Sequence, residues 1–214
     1  MYFQKDYILR MIEMFGKLFE DLVDRMERAD ALHEIDQMML KACGLPVSML
    51  LEVNPEDIRG FLSDLQRYFA AELLIIELAI QRRFKTEDEL FPRLAQILEI
   101  LATLEEADYV IPACDHVWRI VGECGEPLHA DLLIAVAGLF ERGGQYDHAE
   151  DMLYAAREQA MEQSEEKSED SKLLIRSFYQ RLLKMDDRAL FEGGLPRDEV
   201  EEGMRGLAAE KTFL

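Results

Sequence analysis

Apolar residues recur at three-and-four spacing along nearly the whole of this chain, and no other feature narrows the possible folds so far. Between Tyr7 and Met26 they fall at Ile8, Met11, Ile12, Phe15, Leu18, Phe19, Leu22, Val23 and Met26, which draws one broad stripe on a helix whose opposite face is charged. Ile35, Met38, Met39 and Leu40 carry the pattern on to Gly44, which can take a left-handed conformation, and Pro46, which blocks continuation. Asn54-Pro55-Glu56-Asp57 is a start signal: Asn caps free amides, Pro suits the first turn and the acids face the positive helix end. It predicts one long helix from Pro55 to about Arg83. Thr86 and Glu89 then have capping-box spacing ahead of Leu90, Leu94, Ile97, Leu98, Leu101 and Leu104.

Pro112 is expected to begin or kink a helix carrying Val117, Trp118, Ile120 and Val121, with Trp118 as a core anchor or, alternatively, lining a groove. Two short helical segments, 128–140 and 149–160, flank Gly143-Gly144 and should form an antiparallel hairpin. Residues 162–171 offer almost nothing to bury and should be a solvated helix end or a weakly ordered loop. An amphipathic stretch from Leu173 to Met185 and a last helix from about Pro196 to Leu207 follow. No segment alternates in the β-branched manner of a strand. The expectation is an all-α chain of stacked antiparallel helical hairpins, with N-terminal amphipathic helices over 1–52 and a hairpin region over 53–214, joined in one continuous domain.

Composition excludes several partners. With 214 residues and 49% apolar composition the chain can bury a sizeable core, and a formal charge of −20 repels nucleic acid and anionic lipid, which both require a basic footprint. The most apolar run, Leu73 to Ile80, is short and interrupted by Glu77, so no membrane span is expected. The stripe at 7–26 carries Glu13, Glu20, Asp21 and Asp24 on its polar face, which favours core packing or a homodimer seam over a lipid surface. The opening residues do not follow the plan of a secretion signal, and the three cysteines are widely spread; both point to a cytoplasmic protein with reduced thiols.

Residues 130 to 156 carry the most specific pattern. Leu133, Val136, Ala137 and Phe140 on the first helix, Gly144 in the turn, and Ala149, Leu153 and Ala156 on the second alternate large and small, so that the alanines admit close approach and the larger residues fill the gaps. This hairpin resembles a tetratricopeptide repeat, departing from that family's pattern at Leu133 and Met161. The resemblance implies an α-α superhelix, with stacked neighbours at 55–104 and 173–207, and a concave face that binds peptides. By that resemblance the groove would be lined by Asp131, Ile134, Gly138 and Glu141. Ile134 and Gly138 stand where carboxylate-clamping repeats carry Lys and Asn, so a basic or apolar protein segment is the expected partner. Three further stretches make the chain similar to a family of uncharacterised bacterial helical proteins: Asp6-Tyr7-Ile8 with Arg10-Met11-Ile12-Glu13, Gly44-Leu45 through Pro55-Glu56-Asp57, and Gly193-Gly194-Leu195-Pro196-Arg197-Asp198-Glu199-Val200. That likeness implies a helical fold and no activity.

No catalytic constellation, metal site or cofactor site is read from the sequence. Cys114, His116, Cys124 and His129 lie close together but lack the tight paired spacing of a zinc site. Cys43, at a helix C-terminus, faces the negative end of the helix dipole and is a poor nucleophile. The leading functional expectation is therefore a non-enzymatic protein-interaction module. The alternatives are a small-molecule or lipid-binding helical protein, or a homo-oligomerising structural one.

Overall fold

The computed structural model describes residues 28–124 and 127–209, so the stripe at 7–26 lies outside the described residues. Among the described residues the chain is all helical, without a strand. The helices are α1 (Arg28–Cys43), α2 (Val47–Leu50), α3 (Pro55–Phe61), α4 (Asp64–Gln81), α5 (Glu87–Ala102), α6 (Ala107–Glu123), α7 (Ala130–Gly143), α8 (Tyr146–Gln163), α9 (Glu165–Leu182), α10 (Asp187–Glu192) and α11 (Arg197–Ala209). They divide into two compact units, one ending at Ile100 and the other beginning at Leu101. No helix among the described residues is long and apolar enough to cross a membrane.

In the first unit α1 packs along α4. Ala31, Ile35, Met39 and Cys43, four residues apart, are buried on one face of α1, as their periodicity requires. Gly44 closes the helix at φ 75°, a conformation that a side chain would strain, and the chain turns into α2, whose Val47 amide donates to Asp36 Oδ1 at 2.8 Å. The single helix expected from Pro55 to Arg83 is in fact two. Ser63 interrupts it as an N-cap: the Gln66 amide donates to Ser63 Oγ at 3.3 Å and the Ser63 amide donates to Gln66 Oε1 at 3.1 Å. This reciprocal box satisfies amides that would otherwise be orphaned, so the chain can restart at Asp64 at little cost. At the head of α5 the Thr86 amide and hydroxyl both donate to Glu89 Oε2, at 2.9 and 3.0 Å, which is the glutamate half of the box that the spacing predicts.

The second unit packs its helices in sequence, α6 on α7, α7 on α8, α8 on α9, and α11 on α9. Pro112 lies inside α6 rather than at its start. The acidic stretch 162–171, expected to be a solvated helix end or a weakly ordered loop, is helical on both sides of Ser164, whose hydroxyl accepts from the Lys167 amide at 3.3 Å and starts α9. A serine cap near the start of an acidic segment suits the positive end of a helix dipole, which outweighs the scarcity of apolar residues there. The helix α10 was not signalled by periodicity; it is a short turn capped by Asp186, which accepts from the Ala189 amide at 2.9 Å.

Candidate functional site

The repeat-like hairpin forms the centre of the second unit. Leu133, Val136, Ala137, Phe140, Ala149, Leu153 and Ala156 are all buried, and Gly144 makes the turn at φ 74°. The Gln145 amide donates to the Phe140 carbonyl at 2.9 Å, and the Gln159 side-chain amide near the end of α8 donates to the Leu128 carbonyl just before α7. These bonds tie both ends of an antiparallel pair. The α8 N-terminus is closed from outside the hairpin: the Gly193 carbonyl accepts from the Tyr146 amide at 2.8 Å and the Asp147 amide at 3.3 Å. A Cβ on Gly193 would stand 2.3 Å from Tyr146 Cδ2 and 2.5 Å from the Gly144 carbonyl oxygen, so only glycine lets the two turns approach this closely.

The four residues expected to line a groove occupy different surroundings. Asp131 is exposed, and Ile134 and Gly138 are half-buried. Glu141 is engaged by α9: the Arg181 Nε and Nη2 donate to its two carboxylate oxygens at 2.6 and 2.7 Å. This bidentate bond holds Arg181 above its ordinary pKa. The structure thus links this face of α7 to α9 through an ion pair.

An open groove of about 770 Å³ lies elsewhere on the same hairpin, between the end of α6, the start of α7 and the outer face of α8. Its apolar walls come from Val121, Leu128, Leu133, Met152 and Ala155, while Glu158 and Glu162 stand exposed along α8 at its margin. Of the lining residues, the sequence singles out Leu133 for repeat packing, Val121 for an apolar helix and Cys124 and His129 as a rejected metal set, none of them for a groove. The α8 residues had a signal: Met152, Ala155, then Glu158 and Gln159 together, then Glu162 recur at steps of three or four, a stripe of mixed polarity that borders the Ala149, Leu153 and Ala156 face.

Trp118 is not the core anchor expected of it, being 41% exposed. Its ring stacks on His148 with centroids 3.7 Å apart and planes 11° from parallel, while Phe140 meets both edge-on from below at 6.1 and 5.3 Å. The indole has too large a perimeter to enter the closely packed α7–α8 seam, and instead covers it from α6. On the opposite side of α8, Tyr179 of α9 donates to Glu150 and lies 3.3 Å from the Tyr154 hydroxyl. Burial raises the Glu150 carboxyl above its ordinary range, opposed in part by the Tyr179 bond.

Burial pushes the Cys43 and Cys114 thiols up to about 11, so both are protonated at neutral pH. Cys114 points its Sγ at the Leu139 carbonyl, and His129 uses Nδ1 to accept from the Leu132 amide at 3.2 Å, capping α7. Among the described residues no group of three or more His, Cys, Asp and Glu side chains is gathered in a metal-binding arrangement.

A family model matches residues 2–212, and the chain therefore belongs to that family, described as a family of unknown function (DUF6483). No curated protein and no solved structure matches the chain.

Proposed function

We propose that this member of the family is a non-enzymatic, cytoplasmic interaction module of tetratricopeptide-like character, which takes a protein segment pairing apolar anchors with basic residues. The observation that carries the reading is the groove of the second unit, with Val121, Leu128, Leu133, Met152 and Ala155 on its walls and Glu158 and Glu162 along its margin. Apolar walls supply the burial that drives association, and an acidic margin on a chain of charge −20 accelerates encounter with a cationic segment and rejects an anionic one. At about 770 Å³ the groove accommodates a few side chains of a peptide.

The reading is tested by selecting binders from a displayed random-peptide library on the full chain, with an Ala155→Asp variant as the counter-selection. Enrichment of peptides with bulky apolar residues flanked by Lys or Arg, binding the variant at least about tenfold more weakly, supports it, since an unpaired carboxylate on an apolar wall costs more than 1.4 kcal/mol. Enrichment of acidic peptides, or equal binding to both proteins, contradicts it.

A further inference from the structure

The first unit holds an ion pair between a buried glutamate and a half-buried arginine that packing does not account for. Glu77 sits on α4 among Leu73, Leu74, Leu78 and Ile80 and is 7% exposed; Arg93 faces it from α5, where Leu90, Leu94 and Ile97 are buried. A structural pair in such surroundings is expected to be bidentate, because two desolvated charges are repaid only when every polar atom is satisfied. Here the contact is single and long, Arg93 Nη2 to Glu77 Oε1 at 3.5 Å. Glu77 Oε2 and Arg93 Nη1 are both buried and have no hydrogen-bond partner among the described residues. Burial lowers the Arg93 pKa, and the nearby Glu77 carboxylate only partly offsets it.

Beside this pair lies a recess of about 300 Å³, lined by both side chains together with Asp36, Ser48 and the apolar Leu32, Val47 and Leu51 among others. Its volume is at the small end of known ligand sites. The free guanidinium N–H calls for an anionic or carbonyl oxygen, and the free carboxylate oxygen beside it calls for a donor. Asp36 adds a second negative charge, its Oδ1 held by the Val47 amide. One positive and two negative side chains exclude a ligand that is itself a net anion, while the apolar wall suits a short hydrocarbon side chain.

We infer that this recess binds a small zwitterion of amino-acid size, with its carboxylate on Arg93, its ammonium on Glu77 and its apolar substituent against Leu32, Val47 and Leu51. The site is independent of the groove in the second unit, and its success or failure leaves the proposed function unchanged. A ligand that completes both half-made pairings explains why two charges are kept where leucines would pack.

The test is a thermal-shift and calorimetric survey of the full chain with the twenty L-amino acids, and with propionate, propylamine and propionamide as partial probes. At tenfold its dissociation constant a true ligand raises the melting midpoint by about 3 °C or more. The expected result is one-to-one binding of at least one amino acid with an apolar side chain and weaker or no binding of the partial probes. Glu77→Gln and Arg93→Gln should each weaken it by about tenfold or more, the cost of a charge-assisted bond. The Glu77→Leu/Arg93→Leu variant should melt no lower than the wild type yet bind nothing, which separates loss of contact from loss of fold. If no amino acid binds up to about 10 mM, if propionamide binds better than every amino acid, or if binding survives both single substitutions, the inference is overturned.

Discussion

At the scale of single residues, close approach matters more than composition. Gly193 permits its own carbonyl to cap α8 where a Cβ would collide with Tyr146 and the Gly144 carbonyl, and the latter is backbone that cannot swing aside. Gly193→Ala should therefore destabilise the protein by about 1–3 kcal/mol, whereas Gly122→Ala, in α6 with open space around it, should be neutral or gain up to about 1 kcal/mol. Urea titration of the two variants checks this, and equal midpoints would show that the turn rearranges freely. In sequence Gly193-Gly194 registers only within a family-like stretch, and its close approach is not legible because what it approaches is 47 to 49 residues away. Gly44 and Gly144 were legible, since each follows an apolar stripe and ends a helix by local geometry alone.

At the scale of elements, the helices could be read wherever an apolar stripe met a recognised cap, and misread where the cap was overlooked. The break between α3 and α4 is the clearest example: the pattern Ser63-Asp-Leu-Gln66 is a capping box, hidden within a run whose apolar period continues through it. Ser63→Ala should cost about 1 kcal/mol, measured as a lower unfolding midpoint with unchanged helical circular dichroism; a variant as stable as wild type would mean that packing alone sets the break. The contact between α8 and α9 has a pH signature. Because burial raises Glu150 above its ordinary 4.5, the ionised carboxylate is disfavoured in the fold relative to the unfolded chain. Stability from this group is fully present below 4.5 and declines as pH rises through the folded value. Glu150→Gln, which retains an acceptor for Tyr179, should gain stability over wild type progressively above that pH, as thermal melts across a pH series would show. A constant difference at all pH values would count against it.

At the scale of the whole molecule, charge and apolar surface were legible in bulk but not in place. A net charge of −20 and a repeat-like hairpin point towards a basic or apolar partner, yet the face of α7 named from the repeat pattern has its Glu141 committed to Arg181. The groove with acidic margins is built by α6, the start of α7 and α8, so locating it required the tertiary packing of three helices. The recess beside Glu77 and Arg93 was hidden for the same reason: Glu77 registers in sequence only as an interruption of an apolar run. The central claim is that the α8 groove takes a cationic, apolar segment, and a charge-swap cycle tests it most directly. Calorimetry would compare a selected Lys-flanked peptide and its Glu-flanked counterpart on the wild type and on Glu158→Lys/Glu162→Lys. The account predicts that each single swap weakens binding by about tenfold or more and that the double swap restores most of it, because close opposite charges at interfaces couple by about 1.5 kcal/mol or more. Swaps that act independently, with no restoration, would contradict it.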